Sequence, residues 1–322
     1  GAETTSVKSI TNSNGKTARG DIKELNYVTT PSAGDRVRYT LEVTNNSTGN
    51  LKNFVLIDKL SQIGDTGNLD TTTGRGTEFQ MKLPTNPNIT VKVGNNDVTN
   101  QVSVTYKNVE PNAAFSIDDW NGHGSNWEDA ATAPDRGNTT AIRINMDGIE
   151  VSNKEKITVS FDAIVGDNAV AGQIAWNTFG YAYTSALKED MRLYAEPAKV
   201  GVKVSGKEIA VKKIWKGSTL SSRPSLTEGL TITVIGKTAS GEKKVEKTYT
   251  GQAISWKEDA SGKVWNAVIS GLPIQVDGQE LTYSITETSP TGYRQQGEIV
   301  KSEDSDNGLT QFTITNTQTK QI

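Results

Sequence analysis

The chain has 322 residues, a formal net charge of −3, no cysteine and one histidine, His123. That length leaves room for two or three domains, while the near-balanced charge argues against a nucleic acid or an anionic membrane as partner. The cysteine count excludes disulfides, thiolate nucleophiles and Cys-zinc sites, and one histidine offers little for a metal centre, so neither metal nor cofactor is expected.

No apolar run approaches the roughly 18–20 residues of a membrane helix. The start, Gly1-Ala2-Glu3, lacks the basic-then-apolar pattern of a signal peptide, as would a fragment of a longer secreted precursor. Helical periodicity is hard to find. Period-two alternation is common, and the reading is all-β, two tandem Ig-like β-sandwiches.

The first clear strand is "RVRYTLEVTNN", Arg36–Asn46, with Val37, Tyr39, Leu41 and Val43 on one face. "KNFVLIDKL" (52–60) is more apolar, and "TAIRINM", "EKITVSFDAIV" and "IAWNTFGYAYTS" follow. Between them, 64–137 is polar and rich in Gly, Asn and Asp, with short strands such as "NITVKV" and "QVSVTY". It reads as long insertions on a sandwich. A second strand series follows Pro197 and Gly206: "IAVKKIW", "LTITVIG", "KVEKTYTG", "KVWNAVISGLP", "LTYSITE" and "TQFTITN". The domains are placed at 1–202 and 203–322.

Three strands of the second domain carry one polar residue each on a face that should be core. Val211, Lys213 and Trp215 share a face; so do Tyr283, Ile285 and Glu287, and Phe312, Ile314 and Asn316. Lys212 is the rival lysine, with the opposite parity. If the first and last strands are neighbours and the Glu287 strand faces them, Lys213, Glu287 and Asn316 meet inside the core. Burial drives a lysine toward the neutral amine and a carboxyl toward the acid. The amine is then a nucleophile, and the acid polarises the amide and shuttles protons. The product is a Lys–Asn amide plus one ammonia. This is self-processing, not enzyme turnover.

The ordered motifs "IAVKKIW", "RPSLTEGLTITV", "YSITETSPTGY" and "FTITNT" resemble the CnaB-type domain of Gram-positive pilins and adhesins, with "YSITETSPTGY" similar to the pilin E-box. The likeness covers about 205–318 and implies Lys213 as nucleophile, Asn316 as acceptor and Glu287 as catalytic carboxyl. "GDRVRYTLEVTNNSTGNLKNFVLIDKL" and "IAWNTFGYAY" resemble repeated surface-protein and CnaA-like domains. There the resemblance implies Asn177 as acceptor, Lys8 as nucleophile and Asp58 as acid, with Asp162 an alternative acid. It also implies an extracellular, cell-wall-anchored location, with other pilin subunits or the cell wall, through sortase, as partners. No "YPKN"-type motif is present, which points to an accessory pilin or adhesin.

Other motifs suggest a host matrix protein or glycan as ligand. Arg19-Gly20-Asp21 is the integrin-binding tripeptide, although Gly-Asp is also ordinary turn chemistry. "DDWNGHGSNWED" carries Trp120 and Trp127 on a polar loop; its EF-hand likeness fails at His123 and at Ala130, where a glutamate should stand. A polysaccharide hydrolase would have to use carboxylates such as Asp119 and Glu128, and no motif supports it.

Overall fold

The computed structural model describes residues 3–129, 136–217, 222–228, 230–303 and 308–319; Ala130 lies outside them. The described residues form strands and loops, one four-residue α-helix, Ile117–Trp120, and short 3-10 turns. No described helix is long and apolar enough to cross a membrane. Two compact units form, Gly1–Ser205 and Gly206–Ile322.

The first unit is built on two large sheets and a small one. One large sheet runs Thr17–Arg19, Thr4–Thr11, Arg36–Asn45, Lys156–Val165, Thr90–Val93 and Asn96–Asp97. The other runs Glu128–Asp129, Ser103–Lys107, Ala141–Asn145, Leu51–Lys59, Gly180–Ser185 and Lys188–Ala195. The small sheet joins Ile174–Asn177, Val200–Val204 and Tyr27–Thr30. Alternation in Arg36–Asn45 buries Val37, Tyr39, Leu41 and Val43 in one core cluster with Phe161, Phe54, Leu56 and Tyr181.

The stretch 64–137 is more than insertion. Thr90–Val93 pairs with Lys156–Val165, and Ser103–Lys107 pairs with Ala141–Asn145, so it extends both large sheets. Val91, Val93 and Tyr106 are buried. These strands, four and five residues long, are legible in the sequence as "NITVKV" and "QVSVTY"; their pairing into the two large sheets is not, because it joins residues far apart in the chain.

Leu51–Lys59 is buried on both faces from Phe54 to Lys59. The inner face meets the main core; the outer face is covered by a satellite cluster of Val55, Ile57, Ala182 and Trp120. A strand covered on both faces reads as a continuous apolar run, here "FVLI".

In the second unit one sheet runs Lys257–Glu258, Val264–Leu272, Lys207–Lys216, Thr310–Gln318 and Tyr293–Gln295, with Val300–Glu303 also on Thr310–Gln318. A second runs Lys243–Thr250, Thr231–Lys237 and Thr282–Thr288, and a two-stranded ribbon pairs Gln275–Val276 with Gln279–Glu280. Val211, Trp215, Trp265, Ile232, Val234, Tyr283, Ile285, Phe312 and Ile314 share one core cluster. Trp215 meets Trp265 and Tyr293 edge-on, at centroid distances of 5.1 and 4.8 Å. Such aromatic pairs add about 0.5–1.5 kcal/mol beyond area burial.

Candidate functional site

Each unit holds a buried lysine, carboxyl and carboxamide in contact. In the second unit the lysine and amide strands are parallel neighbours, with Lys213 opposite Ile314 and Trp215 opposite Asn316. Asn316 therefore lies one pleat along from Lys213 on the same face. The acid strand, Thr282–Thr288, belongs to the opposing sheet. Lys213 and Asn316 are fully buried, and the Glu287 side chain has no exposure.

Lys213 Nζ contacts Glu287 Oε1, and Asn316 Nδ2 donates to the same oxygen at 3.2 Å. Glu287 Oε2 and Asn316 Oδ1 have no hydrogen-bond partner among the described residues. Burial pulls the Lys213 ammonium down from 10.5 to about 6, because desolvation disfavours the charged form. Lys212, on the opposite face, is only half-buried.

In the first unit Lys8 comes from the opening strand, Thr4–Thr11, where it pairs across to Leu41. Asp58 comes from Leu51–Lys59, and Asn177 ends Ile174–Asn177. All three are fully buried. Lys8 Nζ contacts both Asp58 Oδ2 and Asn177 Oδ1 and lies 4.0 Å from the centroid of the Tyr39 ring. Burial lowers Lys8 to about 8; the charge and hydrogen bond of Asp58 oppose that fall, and the Arg75 cation adds to it.

The first site has an outer layer that the sequence reading missed. Asn177 Nδ2 donates to the Lys59 carbonyl at 3.1 Å. Arg75 Nη2 donates to that same carbonyl at 3.0 Å and to Asp65 Oδ2 at 2.5 Å. Arg75 Nη1 reaches Thr178 Oγ1 at 3.3 Å. Arg75 and Asp65 are buried. Lys59 is buried too, and its Nζ bonds Thr66 Oγ1 at 3.1 Å and the Ala113 carbonyl at 3.0 Å. The signal was the apolar run of the acid strand: with both faces covered, Asp58 and its neighbour Lys59 are enclosed on opposite sides.

Asp162 does not join Lys8. It sits on the outer face of its strand, bonded to Arg38 at 2.8 Å and to Asn88 at 2.9 Å. Its parity in Lys156–Val165 is opposite to that of the buried Val159, Phe161 and Ala163.

The candidate ligand contacts are tied down internally. Trp120 is 4% exposed and meets Phe115 and Tyr194 edge-on; it anchors the loop instead of presenting a ring. Half-buried Trp127 donates from Nε1 to Asp119 Oδ1 at 2.9 Å and stacks under Arg143 at 4.5 Å. Asp119 also forms a capping box with Ser116, while Glu128 is exposed. Arg19 and Asp21 bond each other, Nε to Oδ1 at 3.1 Å and Nη2 to Oδ2 at 3.2 Å. Gly20 lies so close to Ala198 that a Cβ would meet its carbonyl oxygen at 2.4 Å.

No family model matches the chain, and no curated protein does. Solved structures do. The major pilin subunit BcpA of Bacillus cereus aligns at 16% identity and a TM-score of 0.38, covering 98% of this chain and 71% of that one. A 35 kDa C-terminal fragment of the major pilin GBS80 of Streptococcus agalactiae aligns at 15% and 0.38, covering 98% and 100%. Domains D2 and D3 of the major pilin SpaD of Corynebacterium diphtheriae align at 14% and 0.34, covering 98% and 99%. At these values the likeness assigns neither family nor function.

Proposed function

We propose that this chain is a load-bearing segment of a Gram-positive surface pilus or adhesin, with each β-sandwich closed by an autocatalytic Lys–Asn isopeptide bond. The observation that carries this reading is the recurrence of one chemistry in two units. In each, a fully buried lysine, a buried carboxyl and a buried asparagine meet from three separate strands.

The same steps serve both sites. The lysine gives its proton to the carboxyl and attacks Cγ of the asparagine as a neutral amine. The carboxylic acid hydrogen-bonds the carboxamide oxygen and steadies the charge that develops there. The new bond is Nζ–Cγ. The bond that breaks is Cγ–Nδ2, and the carboxyl relays the proton from Nζ to the departing nitrogen. One ammonia leaves and the carboxyl is regenerated. Holding the groups in contact supplies roughly 7–11 kcal/mol of the barrier by proximity.

The bonds suit tension. In the second unit the bond would join the first long strand to the last, which already lie side by side. In the first it would join the opening strand to Ile174–Asn177, partner of the exit strand Val200–Val204. Pulling force would pass through the amide and spare the sheets. On this reading the protein is extracellular and cell-wall-anchored, with other pilin subunits and a sortase as partners.

Single-molecule pulling from the two ends tests it. The wild type extends without releasing the segments 8–177 or 213–316. Glu287→Ala releases about 350 Å more chain from the second unit, at 3.3–3.6 Å per residue. Full release of both segments in the wild type would overturn the reading.

A further inference from the structure

The contacts of Arg75 give it a part in the first site that goes beyond packing, and the inference rests on the cross-linking reading above. A backbone carbonyl accepts at two lone pairs. Arg75 Nη2 fills one on Lys59 at 3.0 Å, and Asn177 Nδ2 fills the other at 3.1 Å. Turned by half a rotation, the carboxamide would set its own oxygen against that carbonyl oxygen and leave it short of a donor. The amide therefore keeps Nδ2 on the Lys59 carbonyl and Oδ1 toward Lys8, which also contacts Asp58. Arg75 is itself fixed by Asp65 Oδ2 at 2.5 Å and Thr178 Oγ1 at 3.3 Å, the latter on the residue next to Asn177.

We infer that Arg75 is a positioning residue for cross-linking in the first unit: through the Lys59 carbonyl it fixes which end of the Asn177 carboxamide faces Lys8.

The charged and titratable groups around Lys8 are few. Asp58 contacts it directly, the Tyr39 ring lies beneath it, and Arg75 opposes its charge. Asp65 sits behind Arg75. Lys59, with its ammonium turned toward Thr66 and Ala113, and Glu196, bonded to the Asn68 and Leu69 amides, complete that network. Removing the Arg75 charge lets Lys8 hold its proton to higher pH, so the pH at which its reaction runs at half speed rises.

The test follows ammonia loss by mass spectrometry after cell-free synthesis of the full chain, across pH 6–9, with peptides from each unit quantified separately. The second unit is the internal control. Arg75→Gln is expected to slow the Lys8–Asn177 bond about tenfold at pH 7 and to move its pH midpoint upward, leaving the Lys213–Asn316 bond unchanged. Arg75→Lys keeps the charge and loses the fork; it is expected to slow the reaction while leaving the midpoint in place. Slowing by both variants with no shift in either midpoint would overturn the electrostatic role, and wild-type rates in both would overturn the inference whole. Absence of the Lys8–Asn177 bond in the wild type would instead overturn the cross-linking reading on which it rests.

Discussion

The two sites use the same three side-chain chemistries and differ in how the amide is held. Asn177 is pinned from behind by the Lys59 carbonyl, with Arg75 and Asp65 beyond it. Among the described residues Asn316 hangs on Glu287 alone, with Oδ1 unpartnered. A half-turn of that carboxamide brings its oxygen to the carboxyl, the contact that amide attack needs. The lysines differ in parallel. Lys213 is lowered to about 6 by desolvation, whereas Lys8, held up by Asp58, falls only to about 8. Desolvation is the largest cause of the fall at both lysines; what sets the sites apart is the second tie that holds the Asn177 amide.

The strongest way to break this comparison is to remove the acids. Asp58→Asn and Glu287→Gln should each abolish the loss of one ammonia, in its own unit only, and lower that unit's stability by roughly 5 kcal/mol, taking a disulfide as the analogue for closing so long a loop. The longer loop of the first unit adds only about 0.4 kcal/mol. Denaturant unfolding with peptide-resolved mass spectrometry reads both effects.

A second prediction concerns rate. Burial lowers both lysines, Lys213 further, to about 6, than Lys8, to about 8. Between pH 6.5 and 8.5 the bond in the first unit should therefore gain more in rate with rising pH than that in the second. Time-resolved ammonia loss from newly made protein measures this.

A third follows from the same shift in the uncross-linked Glu287→Gln variant. Lys213 there has a folded pKa below its unfolded value of 10.5, so between about 6 and 10.5 the unfolded chain binds more protons. Stability of the second unit should rise with pH across that window and be lost as pH falls toward 6. Denaturant midpoints at pH 6, 8 and 10 check the sign.

The smallest effect separates the two aspartates weighed for the first unit. Asp162→Asn loosens a partly exposed link to Arg38, should cost at most about 1 kcal/mol, and should leave the ammonia loss intact.

The second site was legible because its strands alternate cleanly. One polar exception on each of three apolar faces singled out Lys213, Glu287 and Asn316; that they meet rested on the assumed adjacency of their strands and on the resemblance. The first was less legible and leaned on resemblance, for two physical reasons. Lys8 stands between Ser6 and Ile10, a weak apolar face, and its burial comes from Tyr39, Phe161 and Asp58 on other strands. Asp58 sits in a run buried on both sides, where parity does not distinguish core from surface. Arg75 and Asp65 lay in the polar stretch read as insertion, and nothing local marks them as buried. Trp120 shows the converse: an aromatic in polar company that packs inward.

The most direct measurement is the intact mass of the denatured protein, followed by peptide mapping. The account predicts a mass short of the sequence mass by two ammonias, with one branched peptide joining Lys8 to Asn177 and another joining Lys213 to Asn316. A mass equal to that of the sequence, with all four residues recovered in linear peptides, would contradict it.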